Sequence, residues 1–205
     1  MNQLTKQFLL DPGVVFLNHG SFGACPRPVF EEYQCFQRRL EHQPVLFLGR
    51  EILDEMRSAR QRLAEFVQSE PQDIVYVPNA TFGVNIIARS LNLRAGDEVL
   101  ITDHEYGACE NIWDFLSQSE GFSIQRARIP LPLPDPDQIV DQLLERTSSR
   151  TRLIFVSQIT SPTAVQMPVK ALCTEARSRG IMTLIDGAHG PGQLPLDLNA
   201  LGADY

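Results

Sequence analysis

The sequence predicts an α/β fold: a mostly parallel β-sheet with helices on both faces. Short apolar runs, clearest at 153–156 (LIFV) and 181–185 (IMTLI), alternate with segments whose apolar residues recur at helical spacing. Those runs are apolar throughout, as strands buried on both faces are. Strand–helix alternation is also the pattern that parallel connections require.

The elements follow in order. Residues 14–17 (VVFL) read as a brief strand leading into the turn-rich loop Asn18-His19-Gly20-Ser21-Phe22-Gly23. Pro28 opens a helix that Pro44 ends. Over 49–68, Ile52, Leu53, Met56, Ala59, Leu63, Phe66 and Val67 mark one face of a second helix. Residues 74–77 (IVYV) read as a strand, 78–81 as a turn, and Val84, Ile87, Ala88 and Leu91 as a helix. A strand at 97–101 follows the turn at Ala95-Gly96, then a helix through Ile112, Trp113, Phe115 and Leu116, then a strand around Ile124. A proline-rich connector, 130–136, leads to a helix over 137–146 with Ile139, Val140, Leu143 and Leu144 inward. After the strand at 153–156, a helix runs from Pro168 to about Arg179 and Gly180 stops it. The strand at 181–185 ends at Asp186. This organisation divides as an N-terminal segment and helix, 1–45, and a large domain, 46–205.

Composition narrows the function classes. The 205 residues are 43% apolar and 21% charged, enough for a globular core. A net charge of -7 without any Lys/Arg run argues against a nucleic-acid partner. Cys25, Cys35, Cys109 and Cys173 form no C-x-x-C pair and do not cluster with histidines, so neither a metal site nor a disulfide framework is expected. The N-terminus lacks a secretory pattern and no apolar run reaches membrane-spanning length, which predicts a soluble, cytoplasmic protein with no membrane partner.

Ligands of such sheets bind beyond the carboxyl ends of the strands. Asp186 stands there, either as a turn or capping residue or as a carboxylate that keeps a pyridine nitrogen protonated, so that the ring draws electrons from a bound substrate. Ala80 and Thr81 stand at a helix start, whose first N–H groups lack internal partners and whose dipole is positive. Thr81 would cap that helix, or the turn would hold a phosphate. Neither G-x-x-x-x-G-K-[ST] nor G-x-G-x-x-G occurs, so a nucleotide reading has no fingerprint. Tyr106 is a half-buried surface residue or a stacking platform for a flat ring; its neighbours His104 and Glu105 are expected to be solvated. His189 bonds locally or donates to a phenolate oxygen. The set, in this order and each after a predicted strand, points to a ligand.

The segments PNATFGVN (78–85), DHEYGA (103–108), SQITSPTAVQMPV (157–169) and LIDGAHGPGQLPLDLNALGADY (184–205), preceded by FLNHGSFGACP (16–26), resemble class V aminotransferases. These are pyridoxal 5'-phosphate (PLP) enzymes of fold type I, and the subgroup resembled is the isopenicillin N epimerase-like one. The resemblance implies that the chain is the fold type I large domain. Ala80 and Thr81 would hold the cofactor phosphate through their backbone and the Thr81 hydroxyl. Tyr106 would stack on the pyridine ring, where desulfurases usually place a histidine. Asp186 would pair with the pyridine nitrogen, and His189 would bond the phenolic oxygen. Ser161 falls where desulfurases place an asparagine near that oxygen. Asn18, His19 and Gly20 would lie near the substrate carboxylate. Lys6 and Lys170 are the only lysines and neither suits the family's Schiff-base role, so that lysine is expected beyond Tyr205 and no catalytic residue is assigned.

The implied function is a PLP-dependent reaction on a small-molecule amino acid in a homodimer: epimerisation, or C–S cleavage of cysteine, cystine or a sulfoxide, by the intact protein. The 205 residues alone are expected to be inactive. The alternative is a non-catalytic PLP-fold binding protein without the Schiff-base lysine.

Overall fold

A computed structural model describes residues 3–205. The chain divides into a first unit that ends at Arg62 and a second, Leu63–Tyr205.

The first unit begins with a 3-10 turn, Gln3–Gln7. The strand expected at 14–17 does not form: Val14, Val15 and Leu17 are exposed and no strand lies beside them among the described residues. An apolar run becomes a strand only where a neighbour takes up its backbone groups. Helix α1 (Arg27–His42) carries Pro28 in its first turn, where a missing N–H costs nothing. Pro44 opens a single turn, α2 (Pro44–Leu46). A π-helical stretch, Phe47–Glu51, continues into α3 (Ile52–Val67). Arg39 binds Glu51 at 3.0 Å and Glu55 at 2.8 Å, and its guanidinium lies over the rings of Phe36 and Phe47.

The second unit holds the sheet. After the turn Pro71–Asp73, the elements are α4 (Ala80–Ser90), β1 (Glu98–Thr102), α5 (Gly107–Glu120), β2 (Ser123–Ala127), α6 (Pro136–Leu144), β3 (Thr151–Ser157), α7 (Val169–Ser178), β4 (Met182–Asp186) and the short α8 (Leu198–Leu201). The strand order is β2-β1-β3-β4, parallel throughout. Residues 74–77 form no strand among the described residues, and Val75 is 78% exposed.

Alternation along the central strands feeds two cores. Leu100, Ile154 and Val156 pack with α6 and α7 through Ile139, Leu143, Leu172 and Ala176. Val99, Ile101, Leu153, Phe155 and Leu184 face the other way, against α4 and α5 through Val84, Ala88, Ile112 and Trp113. The Trp113 and Phe155 rings meet at 5.6 Å. Each face is therefore helix-covered, which is why β1 and β3 tolerate no polar alternation. Gly180, at φ 69°, ends α7 in the left-handed conformation that glycine adopts without strain.

The chain leaves β2 on one side of β1 and enters β3 on the other, so the winding reverses between β1 and β3. Crevices open at such points, beyond the carboxyl ends. Parallel pairing sets Ser157 beside Asp186, so the loops after β1, β3 and β4 leave the sheet on one edge. Beyond β4, Tyr205 exchanges backbone bonds with Thr183 and Ile185 at 3.1 and 3.0 Å.

The opposite edge carries buried charge. Glu98 is 2% exposed and accepts from Ser148 Oγ at 2.6 Å and from Thr151, with Arg150 alongside. The Ser148 hydroxyl bond first, then Arg150, holds its carboxyl below the usual range despite burial.

Two outcomes follow for stability. Phe155→Ala, at a fully buried position on a central strand, should cost about 3–5 kcal/mol in urea unfolding. Glu98→Gln should destabilise the chain near neutral pH, because a depressed carboxyl adds stability above its unfolded value and loses it as pH falls through the folded one. The gap between wild type and variant should close in acid unfolding.

Candidate functional site

Two free donors open the site. Asn79 is extended (φ -165°, ψ 170°), and its side chain accepts from Phe82 N at 2.8 Å. Asn79, not Thr81, therefore caps α4. The first helical bond runs from Gly83 N to the Asn79 carbonyl. The Ala80 and Thr81 N–H groups are left with no acceptor among the described residues. An anion placed there meets two N–H donors and the positive end of an eleven-residue helix. This turn follows no strand among the described residues.

Asp186, the last residue of β4, is 7% exposed. Its Oδ1 accepts from Ala188 N at 3.0 Å, so it does shape the turn. Among the described residues its Oδ2 receives only the Cys109 thiol, at 3.8 Å. A thiol is a weak donor, and an ionised carboxylate retains capacity for a stronger one. The chemistry of this oxygen suits a protonated ring nitrogen.

Cys109 joins the parts. It lies on the inward stripe of α5 with Ile112, Trp113 and Leu116, one turn beyond Tyr106. Burial, then the charges of Asp186 and Glu105, push its thiol up to about 12, with the Thr81 side chain opposing. Thr81, Cys109 and Asp186 thus converge, and Cys109 is a neutral donor rather than a nucleophile at neutral pH. Sequence reading passed over it; its spacing of three from Tyr106 on a helical stripe is the signal that would have found it.

Tyr106 immediately precedes α5 and is 46% exposed. Its carbonyl accepts from Cys109 N and Glu110 N. The neighbours expected to be solvated are buried: His104 is 6% and Glu105 4% exposed. His104 bonds Thr163 Oγ1 at 2.8 Å and the Ile129 carbonyl at 2.9 Å. Glu105 accepts from Ser157 N at 2.9 Å, Ser157 Oγ at 2.6 Å and Thr102 Oγ1 at 2.5 Å. Hydroxyl residues at the ends of β1 and β3 supply partners that make burial of these polar groups tolerable.

Ser161 lies exposed on the turn after β3, without a side-chain bond among the described residues. Gln158, which sequence reading did not single out, is buried; its N donates to the Asp186 carbonyl, and its side-chain oxygen fills the space beside Gly190. His189 is partly buried, and its carbonyl accepts from Gln193. In the first unit, Asn18, His19 and Gly20 are exposed. The His19 ring packs on Phe8 and Phe16 at 5.5 and 4.7 Å, and its Nδ1 accepts from Ala24 N. A concavity of about 860 Å³ is lined by α6, α7 and residues 195–201 and includes none of Thr81, Tyr106, Asp186 or His189.

Over 199–203 residues the chain is 38% and 39% identical to the isopenicillin N epimerases of Amycolatopsis lactamdurans and Streptomyces clavuligerus, covering 98% and 97% of this chain but 51% and 50% of theirs. It superimposes with a TM-score of 0.87, at 26% identity, on a mutant of the cystine C–S lyase C-DES with glycine covalently linked to its PLP cofactor. That match covers 98% of this chain and 53% of the other. The chain thus spans about half the length of the relatives it matches. The family model for class V aminotransferases matches residues 16–205, and the chain belongs to that family.

Proposed function

We propose that this chain builds the PLP seat of an enzyme that acts on an amino acid. The observation that carries the reading is the meeting of Thr81, Cys109 and Asp186 beside two free helix N–H groups. The Ala80 and Thr81 amides, with the Thr81 hydroxyl, would hold the phosphate. Asp186 Oδ2 would accept from the pyridine nitrogen and keep it protonated. Tyr106 would cover one ring face, and His189 and Ser161 would serve the phenolic oxygen side. Bound there, PLP supplies an electron sink for charge that develops at the substrate α-carbon.

The residues of this chain contribute binding, orientation and a fixed negative charge. No group at the strand ends is assigned as the base for the α-proton. Similarity to two epimerases at 38–39% identity, against 26% for the lyase structure, favours epimerisation of an amino acid over C–S cleavage. Asn18, His19 and Gly20 would meet the substrate carboxylate. The same reading makes the protein a cytoplasmic homodimer. Val29, Tyr33, Val45 and Leu48, each more than half exposed, are apolar surface that a partner subunit would cover. No helix among the described residues is long and apolar enough to cross a membrane.

Three outcomes check the reading. Ala80→Pro removes one free donor at a helix position that accepts proline, after an extended residue that suits it. It should leave folding intact and weaken PLP binding by about 1.5–3 kcal/mol, roughly ten- to hundredfold. Binding of pyridoxal, which lacks the phosphate, should not change. In the intact enzyme, Asp186→Ala should lower kcat far more than cofactor affinity; wild-type turnover would remove Asp186 from its role. Incubating the intact enzyme with amino acids and cysteine derivatives should invert an α-centre without releasing sulfide, whereas sulfide release would assign the lyase reaction.

A further inference from the structure

The loop that carries Tyr106 is anchored in an unusual way. Tyr106 is half exposed and its hydroxyl bonds no other described residue. No hydrogen bond or ring contact of its own side chain holds the ring among the described residues, so its placement depends on the backbone before it. Both preceding side chains are buried and polar. The Ile129 carbonyl can only accept, so His104 Nε2 donates to it, and Nδ1 bonds the Thr163 hydroxyl. Thr163 in turn bonds Thr160 at 2.7 Å.

Glu105 makes the more consequential connection. Each of its contacts, from Ser157 N, Ser157 Oγ and Thr102 Oγ1, can donate, as an ionised carboxylate requires. Ser157 is the β3 residue registered against Asp186, and the next residue, Gln158, donates to the Asp186 carbonyl. Glu105 therefore ties the residue before Tyr106 to the strand beside Asp186. Burial pushes its carboxyl up, so an ionised Glu105 opposes folding at neutral pH, where an apolar residue would not. Packing alone gives no reason for an acid here.

We propose that Glu105 is a positioning residue: by pinning the 103–106 loop to the end of β3, it holds the Tyr106 ring over the cofactor seat at a set distance from Asp186. This rests on the reading of the site as a PLP seat. Glu105 touches neither cofactor nor substrate; it acts through Tyr106.

A double-mutant cycle on the PLP-binding chain tests this. PLP affinity is read from quenching of the single tryptophan, Trp113, and the ring environment from the circular dichroism of bound PLP. Glu105→Gln keeps the shape but replaces an acceptor-only group. It should weaken PLP binding by about tenfold, the effect of losing a charge-assisted bond, and shift the induced dichroism toward that of Tyr106→Ala. In a Tyr106→Ala background the same change should alter affinity less than about twofold, while Tyr106→Phe, which keeps the ring, should restore the full effect. Ser157→Ala removes one donor from outside the loop, leaves Glu105 in place and reads the same cycle if Glu105→Gln folds poorly. Equal losses with and without the Tyr106 ring, or wild-type affinity and dichroism in both variants, would overturn the role of Glu105 while leaving the seat intact. A wild-type chain that takes up no PLP would overturn the seat and this role together.

Discussion

Parallel pairing of β1, β3 and β4 is the constraint on which the site depends. Strands that run the same way bring every carboxyl end to one edge, and the register that sets Ser157 beside Asp186 decides which side chains meet there. The pairing survives because both faces are covered: α4 and α5 bury one set of alternate residues and α6 and α7 the other. Loss of either layer would expose a row of Val, Leu, Ile and Phe side chains. The site is thus a by-product of how the core is closed, with its polar groups gathered where strand pairing ends.

Those groups are not equivalent. At the amino edge, Glu98 is held by hydroxyls and Arg150, which favours its charged form and supports folding. At the carboxyl edge, Glu105 and Asp186 flank a thiol that burial keeps neutral, and no arginine or lysine among the described residues is bonded to either acid. The sheet therefore gathers acids without a bonded cation on the face where a cationic ring would bind. Such an arrangement opposes folding and rewards a ligand that supplies the missing positive charge.

Much of this was legible in the sequence because burial leaves a pattern. The runs at 153–156 and 181–185 could only be strands covered on both sides, and Asp186 could only stand at the rim. The runs at 14–17 and 74–77 carry the same local pattern yet form no strand, because pairing depends on a neighbour that a local run does not reveal. His104 and Glu105 misled for the converse reason: charged types in a polar loop look solvated until Ser157 and Thr163, distant in sequence, join the nearby Thr102 as partners. Asn79 took the capping role that Thr81 could equally have filled, and this frees the Thr81 side chain to face Cys109.

The most direct test is the protonation state of the cofactor nitrogen. PLP labelled with 15N at the pyridine position, bound to the wild-type protein and to Asp186→Asn, would report it by NMR across the neutral range. Asp186 should keep the nitrogen protonated at pH values where free PLP has lost that proton, and the variant should not. An unprotonated nitrogen in the wild type, or the same titration in both proteins, would contradict the assignment of Asp186 as the anchor of the ring.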